Sequence, residues 1–365
     1  MKEEWNKQDE IMDTTPVNET VEEIEIIARE EEISLADQAK VLSPTQQVMK
    51  RFFRSKLSIF GLITLVILFI FSFIGPLFTG WESDETDRPE GGIMGNILYN
   101  EIVVTDEDGN KYIMYDVTYD ILEINAYAPP SWKHILGTDQ YGFDILTRLM
   151  HGGRISLTLG FVVVTLQTLI GVVLGGLAGY FGKWVDQIVM RIVDVFICLP
   201  TFPILLIAST LLDALKVPPN SRIYFLFIIL TVFGWAGTAR LVRGQILSLR
   251  EQEFMLAAEA TGLSNTRKIF KHLIPNVMPQ LIVSMTLGLG GIILTEASLS
   301  FLGLGMTYPA AAWGSMRESA TSDTKILNHY FNIWGPPGIC IVLAILAFNF
   351  IGDGLRDAID PKMKR

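Results

Sequence analysis

Two carboxylates, Asp194 and Glu296, stand inside long apolar runs of this chain, and they are the first residues of which chemistry can be asked. A charge deep in a membrane helix costs about 2.5 to 3.5 kcal/mol on insertion scales, so each needs a reason. Either can hydrogen-bond a neighbouring helix end, or it can line or gate a path for solute. Neither belongs to a series of carboxylates and histidines such as a proton relay uses, which counts against a proton-coupled carrier. Other chemistries fail on residue type or spacing. The nearest approach to a nucleotide-binding loop is Gly182-Lys183, but Trp184 fills the Ser/Thr position and no glycine lies five residues before Gly182. Four histidines and two cysteines show no metal-ligand spacing, and no nucleophile-elbow serine is present. The chain reads as carrying no catalytic site, cofactor or metal of its own.

The stretch with most to offer is Glu251 to Asn276, EQEFMLAAEATGLSNTRKIFKHLIPN, a polar segment between two apolar ones that still carries helical periodicity. Phe254, Ala257, Ala258 and Thr261 fall at i, i+3, i+4 and i+7, a spacing that predicts a small-residue face on a short helix, with Glu251, Glu253 and Glu259 pointing elsewhere. Gly262 is expected to end that helix and Ser264 to cap a second one through Ile269 and Phe270, before Pro275 turns the chain back. Small residues let another protein's surface approach the backbone closely. The segment reads as a docking knob.

The elements that would position it are membrane helices. Half of the 365 residues are hydrophobic and mean hydropathy is positive, at +0.36. Apolar runs long enough for the roughly 30 Å hydrocarbon core occur at 57–79, 155–180, 188–212, 222–246, 278–302 and 335–354, which predicts six spans. The formal charge of −10 hides a division: residues 1–45 carry −9, residues 81–150 carry −10 and the remainder +9. Lysine and arginine gather on one side of the alternating spans, so the positive-inside rule puts both termini and the 251–276 loop in the cytoplasm. That also accounts for the bases, and leaves a nucleic-acid reading without support. Residues 1–42 read as an acidic cytoplasmic tail, solvated or regulatory, with helical potential around Val21 to Ala36 and no signal peptide. Ser43-Pro44-Thr45-Gln46 opens an interfacial helix that leads into the first span, over 43–80.

Residues 81–154 form a long external loop whose middle has strand character, Glu101 to Thr105 and Lys111 to Tyr119 about the turn 106–110. A hairpin cap there can seat an external receptor or be a neutral insertion. The loop closes on His134 to Asp144, read from the sequence as a capped amphipathic helix at the interface. Residues 155–354 are the five-helix core and 355–365 a cytoplasmic end. Gly171, Gly175 and Gly179 are spaced for close helix packing in lipid. Pro200 and Pro203 should kink the third span, whether to bound a path or to fit its neighbours. Cys198 and Cys340 lie in apolar runs and read as small hydrophobes.

The 251–276 loop resembles the cytoplasmic coupling loop of ABC importer permeases, Glu-Ala-Ala, three residues, Gly, nine residues, an apolar residue, one more, Leu-Pro. Ala257, Ala258, Gly262 and Pro275 match that register; Leu256 stands where the pattern has Glu, and His272 at the apolar position, as in the dipeptide/oligopeptide branch. His134 to Asp144 with Arg148, Gly152 and Arg154, then Glu296 to Gly305 with Pro309, Trp313 and Gly314, then Gly352 to Asp357 with Asp360-Pro361, are similar to the C-type subunit of oligopeptide and dipeptide permeases. The likeness covers about 43–80 and 131–365. It implies an all-α integral membrane protein of the type I importer permease kind, with six transmembrane helices and a small external hairpin insertion, in a bacterial cell membrane. It further implies a second permease chain as heterodimer partner, two ATPase subunits that hold the ATP and magnesium, and an extracellular peptide-binding protein. Phe254, Ala257, Ala258, Gly262, His272 and Pro275 are then the coupling-loop residues, and Asp194, Glu296 and Trp313 the candidates for path or gate. Nickel and dipeptide importers share these motifs, so a permease for another small solute is the alternative; a self-sufficient secondary carrier is a further one.

Overall fold

A computed structural model describes residues 44–88, 98–105, 111–118, 124–302, 305–306 and 310–359. The expectations for 1–42, Val21 to Ala36 included, the turn 106–110, and most of 355–365 beyond Ile359 lie outside or at the edge of these. The chain divides into two units, residues 1–51 and 52–365. Helix α1, Pro44–Phe52, begins on a proline that fits its first turn, where an N–H has no helical acceptor anyway, and ends on Lys50 and Arg51.

In the larger unit α2, Lys56–Phe69, is capped by Ser55, whose hydroxyl accepts from the Ser58 N–H, and runs on through a π turn (Ile70–Ile74) and a 3-10 turn (Gly75–Leu77). Strands β1, Leu98–Thr105, and β2, Lys111–Thr118, pair antiparallel, Leu98 opposite Thr118 and Thr105 opposite Lys111. Helix α3 is Ile145–Phe181, α4 Lys183–Cys198, α5 Thr201–Ala214 and α6 Pro219–Arg250. The short α7, Glu253–Ala260, precedes a three-residue turn α8, Asn265–Arg267, and a π segment, Lys268–Leu273, that feeds α9, Ile274–Phe301. The described chain closes with α10, Trp313–Ser322, α11, Thr324–His329, and α12, Phe331–Ile359.

Among the described residues five helical stretches are long and apolar enough to cross a membrane: Lys56–Leu77, Ile145–Phe181, Ser221–Arg250, Asn265–Phe301 and Phe331–Ile359. The expected third span is instead two helices, α4 and α5, bent by 73° at a break. The cause is local. Pro200 and Pro203 have no N–H to give to the carbonyls of Phe196 and Leu199, and Leu199 adopts an extended conformation (φ −73°, ψ 128°). The second span differs at its start. Asp144 accepts from the Thr147 N–H at 2.7 Å and caps the 37-residue α3, while His134 to Asp144 before it form turns and an isolated bridge of Thr138 to Asp144 and not the expected interfacial helix.

Helices α3 and α6 pack at backbone distance because glycine makes room. A Cβ on Gly171 would sit 2.6 Å from the Thr238 Cβ, one on Gly175 would overlap the Ala239 carbonyl oxygen, and one on Gly179 would lie 3.0 Å from the Arg243 carbonyl oxygen. Gly61 does the same for α2 against α12, where a Cβ would come 2.8 Å from the Ala347 carbonyl oxygen. Around these contacts Leu149, Leu157, Ile293, Trp313, Ile341 and Phe348 form the largest buried apolar cluster, shared by α3, α9, α10 and α12.

Candidate functional site

The loop between α6 and α9 is braced from below. Met255 and Ala258 of α7 are buried, and Met255 joins Val242 and Ile246 of α6 with Leu273, Val277 and Leu281 in one cluster against which Phe254 and Ile269 pack. The expected docking face is therefore divided. Phe254 and Ala258 turn inward, whereas Ala257 and Thr261 are exposed together with Leu256, at 59 %, and Ala260. Two turns of helix cannot both anchor the loop and present all four residues, and the side carrying Phe254, Met255 and Ala258 is the one that meets the core. Leu256 and Ala260, at i and i+4, belong to the outward face; their helical spacing was readable, but not which side the core would claim.

Gly262 closes α7. Its N–H donates to the Glu259 carbonyl at 2.9 Å, and the Leu263 N–H reaches back to the Ala258 carbonyl at 3.2 Å, the paired bonds of a Schellman cap. Its φ is +70°, in the left-handed region that glycine alone adopts freely, and a Cβ there would meet nothing within 4 Å. Ser264 sits at the next N-cap with extended backbone but makes no side-chain cap bond. Pro275 does not turn the chain. It occupies the first turn of α9, the wider π segment before it absorbs the missing N–H, and the helical path continues from Asn265 to Phe301. His272 is half-buried, and its carbonyl accepts from the Asn276 side-chain amide at 2.7 Å.

The structure brings Glu296 and Trp313 together. Glu296 is 1 % exposed and accepts from the hydroxyls of Ser300 at 2.8 Å and Ser156 at 3.2 Å. The Ser156 oxygen in turn accepts from the Trp313 backbone N–H at 3.3 Å, and the Trp313 indole donates to the Leu149 carbonyl at 2.9 Å. Gly314 lets the start of α10 lie directly on α9: a Cβ would come 2.8 Å from the Ala297 Cα and 2.9 Å from Glu296 Oε1. This buried knot joins α3, α9 and α10. Ser300, four residues after Glu296, was one helical turn away in the sequence; Ser156 carried no such signal.

Asp194 stands apart from them. It pairs with Arg240 of α6, both side chains about half exposed, and nearer the start of α4 Asp186 holds Arg243 through two bonds of 2.6 and 2.7 Å. Sequence reading took both arginines as topological markers only, because their partners lie 46 and 57 residues away.

Before α3 a polar cluster fixes the segment His134 to Asp144. His134 lies between Asp144 (Nδ1 to Oδ1, 3.0 Å) and Asp87 (Nε2 to Oδ2, 3.1 Å), with the Trp81 ring 4.7 Å away. Asp87 also accepts from Lys133 at 2.7 Å and Asn125 at 2.8 Å. Burial pushes the Asp87 carboxyl up, but the bonds from Lys133, Asn125 and His134 outweigh it and hold the group below the usual carboxylate range. Burial holds Asp139 above that range, against the opposing pull of Arg148 and the N–H groups of Phe143 and Tyr141.

A family model described as "Binding-protein-dependent transport system inner membrane component" matches residues 171–365, and one described as "N-terminal TM domain of oligopeptide transport permease C" matches residues 43–91. The dipeptide transport system permease protein DppC of Alkalihalophilus pseudofirmus is 37% identical over 331 residues, 90% of this chain and 93% of that protein. The oligopeptide transport system permease protein OppC of Bacillus subtilis is 35% identical over 328 residues, 89% of this chain and 92% of that protein. A solved chain of the MetNI methionine ABC transporter in inward facing conformations covers 57% of this chain and 95% of its own length at 18% identity and a TM-score of 0.41, too distant a likeness to carry weight. Matched by both family models and by relatives more than a third identical along nine-tenths of its length, the chain belongs to the binding-protein-dependent transport system inner membrane components, the multi-pass permease subunits of ABC importers.

Proposed function

We propose that the chain is one of two pore-forming permease subunits of an ATP-driven importer for oligopeptides or dipeptides, and that the loop from Glu251 to Asn276 seats an ATPase subunit. The observation that carries this is α7 itself: a short helix anchored through Met255 and Ala258, with Ala257, Ala260 and Thr261 outward beside Leu256 and a glycine-dependent cap. Such a knob transmits a push from a partner to α6 and α9 rather than yielding to it. Phe254 and Ala258 serve as its inner anchor, Ala257 meets the partner, and His272 and Pro275 join the loop to α9.

In this reading α4 and α5 together make the sixth span, both termini and the α7 loop face the cytoplasm, and the strand pair β1–β2 lies outside. A second permease chain completes the path, two ATPase subunits supply the ATP and magnesium sites, and an external binding protein delivers peptide. Asp194 with Arg240 borders the path beside the break in the third span, while Glu296 and Trp313 hold α10 against the core as its fixed edge. The names of the relatives, dipeptide and oligopeptide permeases, support the cargo class.

The test is co-purification. The chain expressed with the products of neighbouring genes should bring down ATPase subunits, and Gly262→Leu or bulky replacements of Ala257 should lose them while the protein stays in the membrane. Wild-type uptake by those variants would overturn the docking role.

A further inference from the structure

Beneath the α7 loop, where the ends of α3 and α6 meet α7 and α8, lies a cavity of about 400 Å³ with polar walls. That size is in the range of small-molecule sites. Arg250 and Lys268 supply two cations, Tyr180 and Asn265 two polar groups, and Glu259 the single carboxylate. Lys268 is the unusual member. Its side chain is nine-tenths buried, yet its ion-pair contact among the described residues is Glu259 at 3.7 Å, longer than a hydrogen bond. The Glu259 side chain is itself 74 % exposed and free to swing into solvent. The covered part is its aliphatic stem; the ammonium stands at the cavity wall, where water or an anion completes its hydrogen bonds.

The other donors converge on the same space. Arg250 spends one guanidinium N–H on the Tyr180 carbonyl at 3.0 Å, leaving the rest of its fork. The Tyr180 hydroxyl donates to Asn265 Oδ1 at 2.7 Å, which leaves the Asn265 amide N–H groups for a ligand. Two cations with different reach, a planar fork and an amide suit a group with several acceptor oxygens and at least one negative charge. Phe181 on the cavity wall and Trp184, the residue after the first of α4, are 46 and 68 % exposed, the aromatic marking of a membrane–water boundary at this depth. We propose that this cavity binds a phosphate group through Lys268 and Arg250, presented either by an anionic phospholipid headgroup or by free phosphate. Occupancy would tie α3, α6 and the α7 loop together at the point where a partner's push enters the bundle.

Two probes separate the sources. The full chain with its partner subunits is placed in phosphatidylcholine nanodiscs, with or without phosphatidylglycerol, and lipid retained after delipidation is read by native mass spectrometry; inorganic phosphate is titrated calorimetrically into the phosphatidylcholine-only sample. Lys268→Met should weaken whichever probe binds by about tenfold or more, the loss expected for one charge-assisted hydrogen bond. Glu259→Gln, on an exposed side chain, should tighten it by removing the competing carboxylate, and this arm decides the matter if the Lys268 variant does not fold. Retained phosphatidylglycerol names the lipid as source, and phosphate binding names the free anion. Binding of neither probe, or binding indifferent to Glu259→Gln and Lys268→Met, overturns the proposal.

Discussion

Gly262→Ala is the sharpest test of how the α7 loop works, because its cost can be worked from geometry alone. The φ of +70° is the left-handed region, where an ordinary L-residue loses about 1–2 kcal/mol relative to glycine. A Cβ at this position meets nothing within 4 Å, so no steric clash adds to that figure. The chain can escape the strain only by leaving the left-handed conformation, which gives up the bonds from the Gly262 and Leu263 N–H groups at about 1 kcal/mol each. Either route removes about 1–2 kcal/mol from the docking form of the loop, roughly a tenfold fall at 1.4 kcal/mol in its equilibrium constant against other loop conformations. The assay is titration of the ATPase subunit onto the immobilised permease, run beside ATP-dependent uptake in vesicles. Gly262→Ala should raise the apparent Kd by up to about tenfold, while Gly262→Asn, whose side chain tolerates the left-handed region, should recover most of the loss. If Gly262→Ala binds like the wild type, or if Gly262→Asn is as damaged as Gly262→Ala, backbone conformation is not what the glycine provides.

Glu296→Ala should lower the Tm of the purified complex far more than Glu296→Gln, because alanine leaves the Ser156 and Ser300 hydroxyls buried without their acceptor and opens a cavity, together about 3 kcal/mol or more. Asp194→Asn should leave Tm almost unchanged, since on the proposed function the pair faces the water of the path and such a pair is worth about 0–1 kcal/mol, yet reduce uptake; a large fall in Tm would make the Arg240 pair structural instead. The fold around Trp81 should fail in acid. Asp87 has its carboxyl pKa lowered on folding from the ordinary 3.8, so its stabilisation is complete above that value and is lost as pH falls through the lower, folded one. Trp81 fluorescence followed during an acid titration should show that loss, and Asp87→Asn should show the altered signal already at neutral pH.

The parts of this molecule that follow from local rules were open to sequence reading. Apolar run length located the helices, the glycine spacing of 171, 175 and 179 anticipated close packing with α6 in the structure, and the turn-forming Gly262 marked the end of α7. What eluded it depends on distant partners. No pattern joins Asp194 to Arg240 or Ser156 to Glu296, because helical period says which residues share a face and not which helix that face will meet. The same limit explains the α7 face. Ala257 and Ala258 lie on adjoining sides of the helix, and it is the side of Met255, packed in the cluster of Val242, Ile246 and Leu273, that carries Ala258 inward. Proline acts differently at two sites: Pro275 is carried by a π turn without the expected change of direction, while the kink expected from Pro200 and Pro203 is present as a 73° break between two helices.

The central claim is that this chain is the driven half of a machine and holds no motor. Reconstituted in vesicles with its second permease chain, binding protein and ATPase subunits, it should accumulate peptide only when ATP is supplied, and omission of the ATPase subunits should abolish uptake. Accumulation against a gradient by the chain alone would contradict the account.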